Sequence, residues 1–288
     1  MPFVKCPDAR IWWDLSGTGD PILLIMGHAY GADMWHRTAP ELAASYRVIR
    51  FDNRGIGRSS DPPGPYPVQL MAEDALAVLD AASAASAHVY GVSMGGFIAL
   101  QLALDRPGRV RSLTLGCTAA SAEGASRGAL LARVRSLVPA AALNRMAWKL
   151  LYGPGTPASR RAEDQQIVRR TRASGRGRRG QLIGAASFDV TGRLAEIRIP
   201  TLVMHGAQDR IVPAANAQRL ADGIAGARLV VFPDAGHVYT TDAPDAANQE
   251  VLRFLGDISD STDSSSTGPA ANPVPGADPH GQATAAGA

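Results

Sequence analysis

Short apolar runs alternate with longer amphipathic stretches along most of the chain, which is the pattern of strands covered by helices in a mostly parallel sheet. Residues 11–15 (IWWDL), 21–26 (PILLIM), 47–52 (RVIRFD), 88–91 (HVYG), 110–115 (VRSLTL), 201–205 (TLVMH) and 227–232 (ARLVVF) are short, rich in Val, Ile and Leu, and each predicts a strand. Between them the spacing predicts helices over 34–45, 68–82, 94–105, 214–224 and 244–255, several opened by Asp or Pro and stopped by Gly. One segment breaks the alternation. From about Thr118 to Ile197 no strand-like run occurs, whereas ALLARVRSLV, ALNRMAWKLL and RAEDQQIVRRTR read as helices separated by Gly and Pro. The expected fold class is therefore α/β, a mostly parallel central sheet flanked by helices. Its core spans residues 1–117 and 198–256, with a helical insertion at 118–197 lying over the sheet. From about Asp257 the chain has four Asp, no Lys or Arg and almost nothing large and apolar, so residues 257–288 are expected to form a disordered tail.

Composition narrows the class further. The chain has 288 residues, 45% apolar and 19% charged, outside the disordered, collagen-like and disulfide-scaffold ranges. A core of this size buries about three quarters of the unfolded surface, so neither a metal nor a disulfide is needed to hold it. Cys6 and Cys117 stand far apart in no metal-ligand spacing. No apolar leader and no run of apolar residues long enough to span a bilayer is present, so a cytoplasmic protein without a membrane partner is expected. Net charge is +3, carried almost wholly by Arg, because Lys occurs only at Lys5 and Lys149; this reads as coding bias rather than as a nucleic-acid signal. The insertion holds 14 Lys and Arg against 5 Asp and Glu, so the remainder of the chain is slightly acidic. Arg169, Arg170, Arg172, Arg176, Arg178 and Arg179, interleaved with Gly, are expected to form a solvated, flexible face rather than a site that steers anions.

The chemistry is carried by GVSMG at 91–95, which follows the strand HVYG and opens the helix MGGFIALQLAL. A Ser on so sharp a strand-to-helix turn presents its hydroxyl at the carboxyl edge of the sheet, and only small neighbours fit beside it. A second match, GASRG at 124–128, has no strand before it and lies inside the insertion, so Ser126 is read as accidental. A serine hydroxyl needs a base to take its proton, and the base needs a third group to fix its tautomer. The strand TLVMH runs into GAQDRIVP, placing Asp209 past its end, and ARLVVF runs into PDAGHVYT, placing His237 on the next loop. Neighbouring parallel strands share a carboxyl edge, so Ser93, Asp209 and His237 can converge. Asp234 is the rival acid, but it lies on the loop of the base and suits a hydrogen bond to that loop's own backbone. His205, ending a core strand, and Cys117 are read as structural. The glycines of DNRGIGRS at 52–59 are read as turn residues, since no Lys follows them as phosphate binding would require.

With GVSMGG, DNRGIGRS, HGAQDRIVP and DAGH in this order, the chain resembles the α/β-hydrolase superfamily from about Ile11 to Leu255. It is similar to the small capped serine esterases: the haloperoxidase-like esterases, the enol-lactonases and the polyketide methylesterases. The resemblance implies a helical cap inserted after the sixth strand of that fold. It also implies an oxyanion hole made by the backbone N–H of Met94 and one N–H from the loop MGHAYG. Where most relatives carry His-Gly this chain has Met26-Gly27, so the second donor is placed at His28, with Ala29 as the alternative. Ala29, Trp148 and Phe188 are expected to touch substrate. The implied activity is serine-dependent hydrolysis of a small-molecule carboxylic ester or lactone through an acyl-enzyme, with no metal or organic cofactor. The alternatives are a ligand-binding, receptor-like member, or a cofactor-independent lyase or cyclase using His237 as base.

Overall fold

The computed structural model describes residues 2–123, 150–171 and 173–266. Eight strands form one sheet: β1 (Phe3–Cys6), β2 (Ala9–Ser16), β3 (Pro21–Ile25), β4 (Arg47–Phe51), β5 (Ala87–Val92), β6 (Val110–Gly116), β7 (Thr201–Gly206) and β8 (Arg228–Phe232). Their order is β1-β2-β4-β3-β5-β6-β7-β8, antiparallel at the β1–β2 and β2–β4 pairs and parallel elsewhere. Successive side chains of a strand point to opposite faces. Accordingly Leu23 and Ile25 join a core with α2 (Val68–Ala81) and α3 (Met94–Asp105), while Ile22 and Leu24 join a second core with Trp35, α1 (Ala39–Ala43) and Ala247, Val251, Phe254 and Leu255 of the last helix. Burial on both faces is why the central strands read as continuous apolar runs rather than as alternation.

Four expectations change. The helix expected over 34–45 is split into a short 3-10 turn, Ala32–Trp35, and α1, because Pro40 in the first turn of α1 supplies no N–H and blocks continuation from the preceding turn. β1 was not legible: FVKC is brief and carries Lys5, and it forms only as an edge partner of β2. The last helix, Pro244–Ser266, continues beyond Asp257, where a tail was expected. Its first turns are anchored by buried Ala247, Val251, Phe254 and Leu255, and each residue added to an existing helix gains a hydrogen bond without a new nucleus. The rest of the expected tail, 267–288, lies outside the described residues, as do Ser126, Trp148 and Arg172.

The fourth change concerns the Arg- and Gly-rich stretch. It is not a face without fixed geometry: α4 (Ala158–Arg170) and α5 (Gly175–Ala185) are regular helices, α5 capped by the Ser174 hydroxyl, which accepts the Gly177 N–H at 2.8 Å. Gly177, Gly180 and Gly184 lie on one face of α5 and meet Gly55 and Tyr66 so closely that any Cβ at Gly177 would run into the Gly55 carbonyl. The Tyr66 N–H donates to the Gly180 carbonyl at 2.9 Å and the Gln181 amide to the Arg54 carbonyl at 3.1 Å. Beneath them Arg54 and Asp74 form a buried two-pronged ion pair, both contacts at 2.6 Å. The arginines point outward; Arg169, Arg170, Arg178 and Arg179 are exposed, and Arg176 meets the Asp61 carbonyl at 2.7 Å.

Since the glycine face admits no side chain, Gly177→Val should lift α5 from the body. The expected result is a lower melting temperature and faster limited proteolysis between Ala173 and Ala186; unchanged values of both would contradict this packing account.

Candidate active site

Register alone brings one edge of the sheet into line. Val92 pairs with Gly116, Gly116 with Met204, and Gly206 with Phe232, so the chain leaves β5, β6, β7 and β8 side by side. Ser93 follows β5 at once and opens α3, with φ 55° and ψ −123°, a backbone state that costs a non-glycine residue roughly 1–3 kcal/mol. Neighbouring bonds hold it there. Its N–H donates to the Gly116 carbonyl at 2.8 Å, and its carbonyl accepts the Gly96 N–H and the Thr118 hydroxyl, both at 2.8 Å. Close approach requires the flanking glycines: a Cβ on Gly91 would meet the Gly95 carbonyl, and one on Gly95 the Ile25 carbonyl.

The structure brings Ser93, Asp209 and His237 together. The His237 Nε2 accepts from the Ser93 hydroxyl at 3.1 Å, and its Nδ1–H donates to Asp209 Oδ2 at 2.8 Å, the tautomer that an ionised Asp209 selects. Asp209 Oδ1 accepts the N–H groups of Ile211 and Val212 at 2.8 and 2.9 Å. Burial alone would raise the Asp209 carboxyl, but His237 and His205 outweigh it and hold the group well below the usual aspartate range. Asp234, the rival acid, is exposed.

His205, read from sequence as structural, has a second connection. Its fully buried Nε2 lies 3.0 Å from the Val212 carbonyl and 3.2 Å from Asp209 Oδ2, so that nitrogen carries the hydrogen and supports the carboxylate from behind. The signal was its position four residues before Asp209 across the strand end. Cys117, adjacent in the sheet edge, is buried, and its thiol is pushed well above the ordinary range by that burial, as an inert thiol would be.

The loop after β3 abuts the serine: a Cβ on Gly27 would stand 3.0 Å from Ser93 Cβ. Met94 is the first residue of α3, so its N–H has no intrahelical acceptor. Ala29, at φ 66°, donates its N–H to Gln181 Oε1 at 3.0 Å, which ties this loop to α5. The His28 ring meets the Arg178 carbonyl at 2.9 Å, a contact that ties this loop to α5. The DNRGIGRS loop braces the same segment. Asp52 accepts the N–H groups of Ala32 and Arg58 at 2.7 and 2.9 Å, and Asn53 donates to the Met26 carbonyl at 2.9 Å. Phe188, expected at the substrate, is buried and stacked on Phe97 of α3 with ring centroids 4.6 Å apart, a packing contact between the helical segment and the body.

Among the described residues no group of three or more His, Cys, Asp or Glu could hold a metal ion, and no helix is long and apolar enough to cross a membrane.

Comparison with known proteins gives the geometry a context. Residues 20–243 match the family defined by the alpha/beta hydrolase fold. The chain is 36% identical over 264 residues to a protein of Azorhizobium caulinodans named carbamate hydrolase RutD, covering 90% of this chain and 99% of that one. It is 32% identical over 255 residues to 3-oxoadipate enol-lactonase 2 of Acinetobacter baylyi, covering 85% and 92%. The solved enol-lactonase of Burkholderia xenovorans superposes with a TM-score of 0.76 at 26% identity, covering 88% of this chain and all of that one. With this match, its eight-stranded sheet and its order of motifs, the chain belongs to the α/β-hydrolase family of hydrolases.

Proposed function

We propose that the protein is a serine-dependent acyl hydrolase acting on a small carboxylic ester or lactone. The observation that carries the reading is the continuous hydrogen-bond chain from the Ser93 hydroxyl through His237 to Asp209, starting from a serine held at positive φ. In this reading Ser93 Oγ attacks the substrate carbonyl while His237 Nε2 takes its proton. Asp209 stays ionised and stabilises the imidazolium as it forms. The N–H groups of Met94 and His28 receive the oxyanion, each donor lowering the barrier by about 3 kcal/mol. The imidazolium then protonates the leaving oxygen, and water, activated by the same base, releases the acid from Ser93. The serine proton departs on the alcohol and a proton from water replaces it on Ser93 Oγ, so the triad ends in its starting state and no step requires a metal or an organic cofactor.

The relatives named for enol-lactone and carbamate hydrolysis support an acyl carbonyl bearing an oxygen substituent as the reacting group, and extend the substrate range to carbamates. The helical segment acts as a cap: α5 rests on the oxyanion loop through His28 and Ala29, so substrate passes its rim. A serine at the nucleophile position argues against the haloalkane dehalogenase and epoxide hydrolase reactions, which need a carboxylate there.

Ser93→Ala should lower kcat on a short-chain 4-nitrophenyl ester by up to about a million-fold while leaving the melting temperature within a few degrees. Retained turnover would transfer the chemistry to His237 as a base and overturn the acyl-enzyme. A second outcome concerns pH. Because the folded-state pKa of Asp209 is depressed, its contribution to stability is complete above the unfolded value of about 3.9 and is lost as pH falls through the folded value. The stability gap between wild type and Asp209→Asn, followed by urea unfolding, should therefore narrow below about pH 4. A gap that stays constant into that range would contradict an ionised, buried Asp209.

A further inference from the structure

His237 sits on a loop whose two neighbouring residues are tied to the 151–156 stretch of the helical segment, one directly and one through Asp242. Before it, the Gly236 N–H donates to Asp242 Oδ2 at 2.7 Å; after it, the Val238 N–H donates to the Leu151 carbonyl at 2.9 Å. Asp242 closes the connection, since the same Oδ2 accepts the Gly153 N–H at 2.9 Å and Oδ1 accepts the Thr156 hydroxyl. One carboxylate thus gathers donors from the base loop and from the segment above it.

Asp242 is itself held. It ends α6 (Tyr239–Asp242), in which the Tyr239 hydroxyl lies 2.6 Å from that of Tyr90 in β5 and the Tyr239 ring stacks on Phe232 at 5.4 Å. Next to it Thr241 donates to fully buried Asp164 of α4 at 2.7 Å; Tyr152 donates to the same oxygen at 2.9 Å. The Arg160 guanidinium reaches the carbonyls of Thr241 and Asp242 at 3.3 and 3.2 Å. Burial pushes the Asp242 carboxyl upward, while its three donors favour the anion. The energy of desolvating this carboxylate is recovered only if the donors stay in place, so they constrain one another.

We propose that Asp242 is a positioning residue for His237: by holding the Gly236 N–H and the Gly153 N–H on one oxygen it locks the base loop to the helical segment, so that base and segment keep one geometry. This rests on the reading of His237 as the general base. A base displaced by about 1 Å from its partner loses on the order of a hundredfold in rate, so a device that fixes its loop acts on kcat rather than on binding.

The test compares wild type with Asp242→Ala and Asp242→Asn, folding being checked by circular dichroism. Two quantities are read. The first is kcat and KM on a short-chain 4-nitrophenyl ester; the second is the downfield proton resonance of the His237 Nδ1–H, assigned by its loss in His237→Gln. In Asp242→Ala kcat should fall about 10- to 100-fold with KM within about twofold, and the resonance should broaden or shift. Asp242→Asn keeps an oxygen for both N–H groups and should recover most of the rate and the signal. A folded Asp242→Ala with wild-type kcat and an unmoved resonance would overturn the proposal. If that variant does not fold, Asp242→Glu decides on the same two readouts: it keeps the charge but moves the oxygen, so lowered kcat and a shifted signal are expected and wild-type values refute. Absence of ester turnover in the wild type would instead refute the function proposed above, while the resonance would still report whether Asp242 sets the His237 geometry.

Discussion

The backbone of Ser93 is the constraint on which the site depends. A residue at φ 55° between a strand and a helix is unfavourable by itself, and it persists because the sheet and the helix overdetermine it. Bonds from Gly116 and Thr118 fix the turn from the β6 side, and the Gly91–Gly95 and Gly95–Ile25 approaches fix it from β5 and β3. Everything else is arranged relative to that point. β7 and β8 end in register with it and deliver Asp209 and His237, while the loop after β3 lies against its Cβ. Strand register is a backbone property, so the three side chains are brought together by the same hydrogen bonds that make the sheet.

Around that centre the helical segment is joined to the body in part by close backbone approaches. α5 presents glycines to Gly55 and Tyr66, and the Gly153 region presents main-chain groups to the His237 loop. The approaches of Gly177 to Gly55 and of Gly184 to the Tyr66 backbone leave little slack, because no side chain there can change rotamer to accommodate a shift. Polar side chains complete the joint where two backbones cannot meet: Gln181 bridges Ala29 and Arg54, and Asp164 bridges Arg37, Tyr152 and Thr241. The exposed side chains of Arg178 and Arg179 stand outside the joint, so α5 is both strongly basic and closely packed.

Much of this was legible in the sequence because the physics is local. Two-face burial writes the central strands as apolar runs, and an elbow requires Gly beside Ser93. The chain order of Ser93, Asp209 and His237 follows from strands that share an edge. What was not legible arises from residues distant in sequence. The composition of GRGRRGQLIG reads as flexible, and that Gly177, Gly180 and Gly184 pack against Gly55 and Tyr66 emerges only from partners over a hundred residues away. The stacking of Phe188 on Phe97 joins positions far apart in sequence, and no local pattern shows it. The Gly153–Asp242 bond links positions 89 residues apart, and only the folded chain discloses it. Helix ends were misjudged for simpler reasons: Pro40 interrupts one, and a packed apolar face carries the last beyond its apolar residues.

The central claim is that Ser93 is an activated nucleophile, and covalent labelling tests it most directly. The purified full-length protein is treated with a fluorophosphonate and the modified peptide is identified by mass spectrometry, with Ser93→Ala and Ser126→Ala treated in parallel. The account predicts one labelled site, Ser93, in the wild type and in Ser126→Ala, and no label in Ser93→Ala. A folded wild type that stays unlabelled, or a label that persists in Ser93→Ala, would contradict it.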